Sequence, residues 1–240
     1  MPSHDQQSRP ATPDRPDSRA PFHETSPAVG EIQQPGDGAQ VAETGTTIVG
    51  LTASDAVVLA ADQRASVGGG RFVTNKSTRK VERVHPTAAV ALSGAVGHNQ
   101  HFARVLRAET RLYDDRRGDP PSMTALSTLA ANALRSAPLR VTPLLGGVDA
   151  DGPHVYSVDA GGGVLADDYA AGGSGMQLAY GVLERQYDDS LSVDDARGVA
   201  TRAVDSASER DTASGNGFTV ATVTEDGVDV EDFDALAEVA

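Results

Sequence analysis

The feature that most constrains this chain is an abrupt change of character between Gly45 and Thr46. Residues 1–45 hold seven of the 13 prolines, with many Ser, Asp, Gln and Gly and no apolar periodicity. Such a segment cannot bury enough surface to offset the entropy of ordering. From Thr46 onward apolar residues recur at strand and helix periods almost to the end. The expectation is a disordered leader over 1–45 and one globular domain over 46–240. Thr46-Thr47-Ile48-Val49, rich in β-branched residues, reads as the opening of a strand.

Composition removes several function classes. Acidic residues outnumber basic ones 34 to 20, a formal charge of −14. That balance argues against a nucleic-acid partner, which needs a basic face, and suits a solvated surface that resists association, as in a salt-rich cytoplasm. The absence of Cys excludes disulfides, thiolate metal sites and cysteine nucleophiles. The six His are scattered, none in an H-E-x-x-H pattern, and no metal site is expected. There is no apolar run of transmembrane length and no signal-peptide core, so the expectation is a cytoplasmic protein with no membrane partner. Lys76 and Lys80 are the only lysines in a chain that otherwise uses Arg.

The periodicity predicts a strand pair at Thr46–Ala53 and Ala56–Ala61, turning at Ser54-Asp55 and ending in Asp62-Gln63-Arg64. A Gly-rich loop is expected over Ser66–Arg71. A second pair falls at Val81–Val84 and Ala88–Leu92. Ser93-Gly94-Ala95 then leads into a helix with Phe102, Val105, Leu106, Leu112 and Tyr113 on one face, stopping near Arg117-Gly118. Ser122 caps a second helix. A hairpin follows at Pro143–Val148 and His154–Val158, with strand-like residues around Val164 and Leu165. The loop Gly172–Gly175 opens a third helix, and a fourth runs from Val193 to Arg210. Phe218–Val223 and Val228–Val230 form the last hairpin, with a fraying acidic tail from Glu231. Two helix pairs need two apolar sheet faces, which makes the expected fold α+β: a four-layer αββα sandwich with two stacked antiparallel sheets between helix layers.

Six motifs occur in order: T-G-T-T-I-V-G from Thr44, A-A-D-Q-R-A-S from Ala60, L-S-G-A-V-G from Leu92, L-L-G-G-V-D from Leu144, G-S-G-x-x-x-A-Y-G-V-L-E from Gly173 and E-R-D-x-A-S-G-N-G from Glu209. Each is weak alone. Together they cover about residues 44–230, and there the chain resembles the archaeal, haloarchaeal-like proteasome β subunits, members of the N-terminal nucleophile hydrolases.

The resemblance implies a propeptide removed by self-cleavage between Gly45 and Thr46, leaving Thr46 as the N-terminal nucleophile. A free threonine amine and hydroxyl supply base and nucleophile on one residue. Thr47 is the rival at the cleavage site. The resemblance further implies that Asp62 orients a catalytic lysine, taken as Lys80 because Arg79-Lys80-Val81 leads straight into a strand, with Lys76 as rival. Lysine suits the task because a crowded ammonium shifts its pKa and an arginine cannot deprotonate. Gly94 is implied as the oxyanion-hole residue, and Ser174, Asp211 and Ser214 as hydrogen-bonding support around the threonine amine. Relatives often carry G-S-G-S where this chain has Gly173-Ser174-Gly175-Met176, so an outer hydrogen bond or a packing contact is altered.

The implied activity is that of a threonine endopeptidase needing no cofactor. Ala65, Leu92 and Val96 are implied as a small apolar substrate pocket, giving a chymotrypsin-like preference. The implied partners are α subunits and other β subunits in stacked seven-membered rings, a regulatory ATPase ring and unfolded protein substrates. Two other readings stay open: a bacterial-type two-ring threonine protease, whose subunits also begin T-T-I-V, and a non-enzymatic ring subunit that keeps its leader.

Overall fold

The computed structural model of the chain describes residues 43–239. The expected disordered leader lies, up to residue 42, outside the described residues. The strands are β1 (Glu43–Thr44), β2 (Thr47–Thr52), β3 (Val57–Asp62), β4 (Ala65–Val67), β5 (Phe72–Asn75), β6 (Val81–His85) and β7 (Ala88–Ala95). Helices α1 (Val96–Arg117) and α2 (Met123–Ser136) follow. Then come β8 (Val141–Asp149), β9 (Gly152–Val158), β10 (Val164–Asp167), β11 (Tyr169–Gly173), α3 (Met176–Gln186), α4 (Val193–Ser208), β12 (Phe218–Thr224), β13 (Gly227–Phe233) and a 3₁₀ turn at Leu236–Glu238.

One antiparallel sheet has the order β1-β7-β8-β9-β10, with β6 also paired to β7. The other has the order β11-β2-β3-β12-β13, and β4 and β5 form a separate hairpin. Strand alternation builds the layers. On β3, Val57, Leu59 and Ala61 point between the sheets, into a core shared with Ile48, Ala89, Ala91, Leu144 and Val155. Val58 and Ala60 point the other way, onto α3 and α4. The opposite face of the β7-β8-β9 sheet is covered by Phe102 and Leu106 of α1 and Leu126 and Leu134 of α2. The result is the αββα sandwich.

Local chemistry sets several boundaries as read from the sequence. Ser122 caps α2 by accepting from Ala125 N–H at 3.2 Å. Gly118 ends α1 in the left-handed conformation, with φ 74°.

Four readings need correction. Glu43–Thr44, assigned to the disordered leader, pair with β7, Glu43 opposite Ala95 and Thr44 opposite Gly94. The Gly-rich loop at Ser66–Arg71 is the turn of the β4–β5 hairpin, whose strands are too short to show a period of two. Leu112 is 39% exposed. The buried stripe of α1 runs through Asn99, Phe102, Ala103, Leu106 and Thr110, and two residues past Thr110 the helix has turned about 200° away from it. Finally, the acidic tail does not fray at Glu231. β13 stays paired with β12 as far as Phe233, and Arg197 holds Glu231 at 2.7 Å while Arg79 holds Asp232 at 2.6 Å.

Leu59 is fully buried between the sheets. Leu59→Ala should lower unfolding stability by about 2–5 kcal/mol, read as a shift of the urea midpoint. A cost under about 1 kcal/mol would contradict this account of the intersheet core.

Candidate active site

The site forms where β2 begins. Alternation along β2 places Ile48 between the sheets and Val49 on the helix side, so Thr46 and Thr47 face opposite ways. Thr47 is tied on the helix side. Its N–H donates to Asp62 Oδ1 at 2.9 Å and its hydroxyl lies 2.8 Å from Ser214 Oγ. Ser214 Oγ donates its own proton to Asp211 Oδ2 at 2.7 Å, so the Thr47 hydroxyl is the donor to Ser214. Thr46 is different: its hydroxyl donates to the carbonyl oxygen of Gly45 at 2.7 Å. Of the two candidate nucleophiles, Thr46 is the one whose hydroxyl touches the carbonyl of the Gly45–Thr46 bond.

A chain of hydrogen bonds surrounds the Thr46 nitrogen. Thr46 N–H donates to Ser174 Oγ at 3.1 Å, and Ser174 Oγ donates to Asp211 Oδ2 at 2.6 Å. Asp211 therefore gathers Ser174 and Ser214, at the start of α3 and after the end of α4. Met176, exposed on the first turn of α3, lies outside this chain.

Asp62 ends β3 fully buried and receives four donors. Lys80 Nζ at 2.7 Å and Thr47 N–H at 2.9 Å meet Oδ1. Arg64 N–H at 3.0 Å and Gly215 N–H at 2.9 Å meet Oδ2. Lys80 is itself 3% exposed, whereas Lys76 is exposed in the loop after β5. Burial pushes the Asp62 carboxyl up and the Lys80 ammonium down. Their mutual attraction and hydrogen bond pull each back toward the charged pair, helped at Asp62 by the Thr47 and Gly215 N–H groups.

Two glycines are required by space. A Cβ on Gly45 would stand 1.7 Å from Ala213 Cβ. Gly94 has φ 132°, and a Cβ there would stand 2.1 Å from Arg140 O. Gly94 faces Thr44 across the β1–β7 ladder, one residue before Gly45.

Ala65, Leu92 and Val96 come together on the wall of one cleft of about 480 Å³, and Lys80 lines it too. The sequence reading thus named residues that converge. It missed the backbone donors Arg64 and Gly215 and the steric role of Ala213. The A-S-G-N-G run carries Ala213 and Gly215, but nothing in a sequence says which N–H turns toward Asp62.

Compared with known proteins, residues 42–223 match the proteasome subunit family. The chain is 54% identical over 215 residues to a protein named proteasome subunit beta from Halorhabdus utahensis, covering 89% of this chain and 92% of the relative. It is 53% identical over 222 residues to proteasome subunit beta 2 of Haloterrigena turkmenica, covering 88% and 93%. It is 56% identical over 200 residues to proteasome subunit beta of Halomicrobium mukohataei, covering 83% and 84%. This chain belongs to the proteasome subunit family.

Removing one member of the buried pair leaves the other charge without its partner. Lys80→Met or Asp62→Asn should each destabilise the fold by about 3–5 kcal/mol, and the double variant by less than the sum. Urea unfolding of the three variants checks this; strict additivity would contradict a direct Asp62–Lys80 interaction.

Proposed function

We propose that the chain is the catalytic β subunit of a proteasome core, a threonine endopeptidase that first cuts itself between Gly45 and Thr46. The observation that carries this reading is the 2.7 Å contact between the Thr46 hydroxyl and the Gly45 carbonyl oxygen, with the Thr46 nitrogen held on Ser174 and Asp211.

In self-cleavage, Thr46 Oγ attacks the Gly45 carbonyl carbon. The Oγ–C bond forms, the C–N bond breaks, and the nitrogen takes up a proton as the Thr46 amine. Water hydrolyses the resulting ester, releasing the leader with a Gly45 carboxylate and restoring the hydroxyl. The same groups then act on substrate in trans. Thr46 Oγ attacks the scissile carbonyl while its proton passes to the Thr46 amine, directly or through water. The amine of the leaving strand departs protonated, and water cleaves the acyl ester. Asp62 fixes Lys80 beside the nucleophile, and the positive charge of Lys80 favours the neutral amine. Gly94 N–H serves the oxyanion, consistent with its register opposite the last residues of the leader. Ser174, Asp211 and Ser214 orient the amine.

The apolar wall of Ala65, Leu92 and Val96 receives the side chain on the N-terminal side of the cut bond, giving a chymotrypsin-like preference. Assembly with other subunits agrees with large apolar side chains left exposed on this chain, Leu165 at 71% and Met176 and Leu178 on α3. Seven-membered β rings between α rings, an ATPase ring that feeds unfolded chains, and a cytoplasmic setting complete the proposal. Among the described residues no helix is long and apolar enough to cross a membrane.

Thr46→Ala should leave particles that neither remove the leader nor hydrolyse apolar peptide amides, a loss of at least about 10³-fold in rate. Thr46→Ser should keep measurable activity. Hydrolysis by the alanine variant at more than a tenth of the normal rate would refute the nucleophile assignment. Gly45→Val, which drives a side chain into Ala213, should slow leader removal at least tenfold, followed by the mass of the chain over time. Unchanged processing would contradict the tight fit at that carbonyl.

A further inference from the structure

The junction of β7 and α1 is held from another part of the chain. Among the described residues no side chain caps α1 at Ala95, whereas serines cap α2 and α4. The start of α1 is tied to Arg140, the residue before β8, by two bonds. Ala95 N–H donates to the Arg140 carbonyl oxygen at 3.1 Å, and Arg140 N–H donates to Nδ1 of His98 at 2.9 Å. His98 lies in the first turn of α1. The two bonds therefore close a ring, from Ala95 to Arg140, on to His98, and back along the helix to Ala95. An imidazole nitrogen that accepts carries no proton, which makes His98 the neutral ring with its proton on Nε2.

The Arg140 carbonyl oxygen also lies against Gly94, where a Cβ would stand 2.1 Å from it. Gly94 holds φ 132°, a conformation open to glycine. The peptide that follows Gly94 is the one whose N–H, that of Ala95, binds Arg140. A displacement of Arg140 thus reaches Gly94 twice, by contact and through the bond to Ala95. Arg140 stands one residue outside the β7–β8 ladder, which ends with Gly94 opposite Val141. His98 Nδ1 holds the N–H of this residue just where the regular ladder stops.

We propose that His98 is a positioning residue for the oxyanion site. Through Arg140 it keeps the Gly94 N–H aimed at the carbonyl oxygen that becomes negative when Thr46 Oγ attacks. A donor stabilises the transition state best when it is in place before charge develops. A misplacement of about 1 Å can cost about 10²-fold in rate. His98 acts on the reaction through Arg140 and Gly94 and not on the substrate. The inference rests on the reading of Gly94 as the oxyanion donor of a Thr46-dependent peptidase.

The test compares assembled, processed particles that carry His98, His98→Asn or His98→Leu. Asparagine keeps an acceptor oxygen near the place of Nδ1, and leucine keeps bulk but loses the acceptor. The measurements are kcat and KM for an apolar peptide amide, and the inhibition constants of the matching peptide aldehyde and peptide alcohol. Thr46 Oγ adds to the aldehyde carbon while its proton passes through the Thr46 amine to the carbonyl oxygen. The resulting hemiacetal oxygen occupies the oxyanion site, and the alcohol cannot form that adduct. His98→Leu should lower kcat about ten- to hundredfold and weaken the aldehyde by a similar factor, with KM and the alcohol within about twofold. His98→Asn should recover most of the loss. Should His98→Leu not assemble alone, co-expression with the unaltered chain puts both in one particle. Acylation of each chain's Thr46 by a β-lactone, resolved by mass, then gives the same ratio. An unchanged kcat in His98→Leu would overturn the role of His98. So would a loss shared equally by aldehyde and alcohol, which marks substrate binding, or one that His98→Asn does not relieve, which marks packing of the ring. An aldehyde that binds the unaltered particle no tighter than its alcohol would overturn the oxyanion reading itself.

Discussion

The Asp62 carboxylate is the point on which the site depends. It lies at the end of β3, yet it binds the first residue of β2 through Thr47 N–H, the residue before β6 through Lys80, and the loop after α4 through Gly215 N–H. β2 and β3 belong to one sheet and β6 to the other. A single buried anion with four donors therefore fixes three segments from both sheets around the start of β2. Without those donors a charge so deep in the core would be neutralised or expelled. The cost of burying it is set against the precision with which it places Thr46 and Lys80.

The second consequence is a division of labour between two adjacent threonines. Strand alternation sends the Thr47 side chain to Ser214 and leaves the Thr46 side chain on the other face, against the Gly45 carbonyl oxygen. Asp211 serves both sides of the strand, holding Ser214 for Thr47 and Ser174 for the Thr46 nitrogen. The residues just before Thr46 are part of the same construction, since Thr44 lies opposite Gly94 and Gly45 fits against Ala213 only because it has no side chain.

Much of this was legible in the sequence, and the reasons differ by element. The β2–β3 pair and α2 announce themselves through periodicity and a capping serine, both local signals. β1 does not, because two residues show no period and their partner, β7, is about 50 positions away. The β4–β5 hairpin hides behind three consecutive glycines. The end of β13 was read as fraying because Glu231 and Asp232 look solvated, whereas Arg197 and Arg79 hold them. At the site, residue types and motif order pointed to Thr46, Asp62, Lys80, Ser174, Asp211 and Ser214. They favoured Lys80 over Lys76 and Thr46 over Thr47, and burial and hydrogen bonding set the members of each pair apart as well.

The central claim is that Thr46 becomes the N-terminus of the working subunit. The most direct test is the intact mass and N-terminal sequence of this chain taken from assembled, active particles. The account predicts a chain beginning at Thr46, with residues 1–45 lost as one leader. A chain in active particles that still carries residues 1–45 would have no free threonine amine, and would contradict the account.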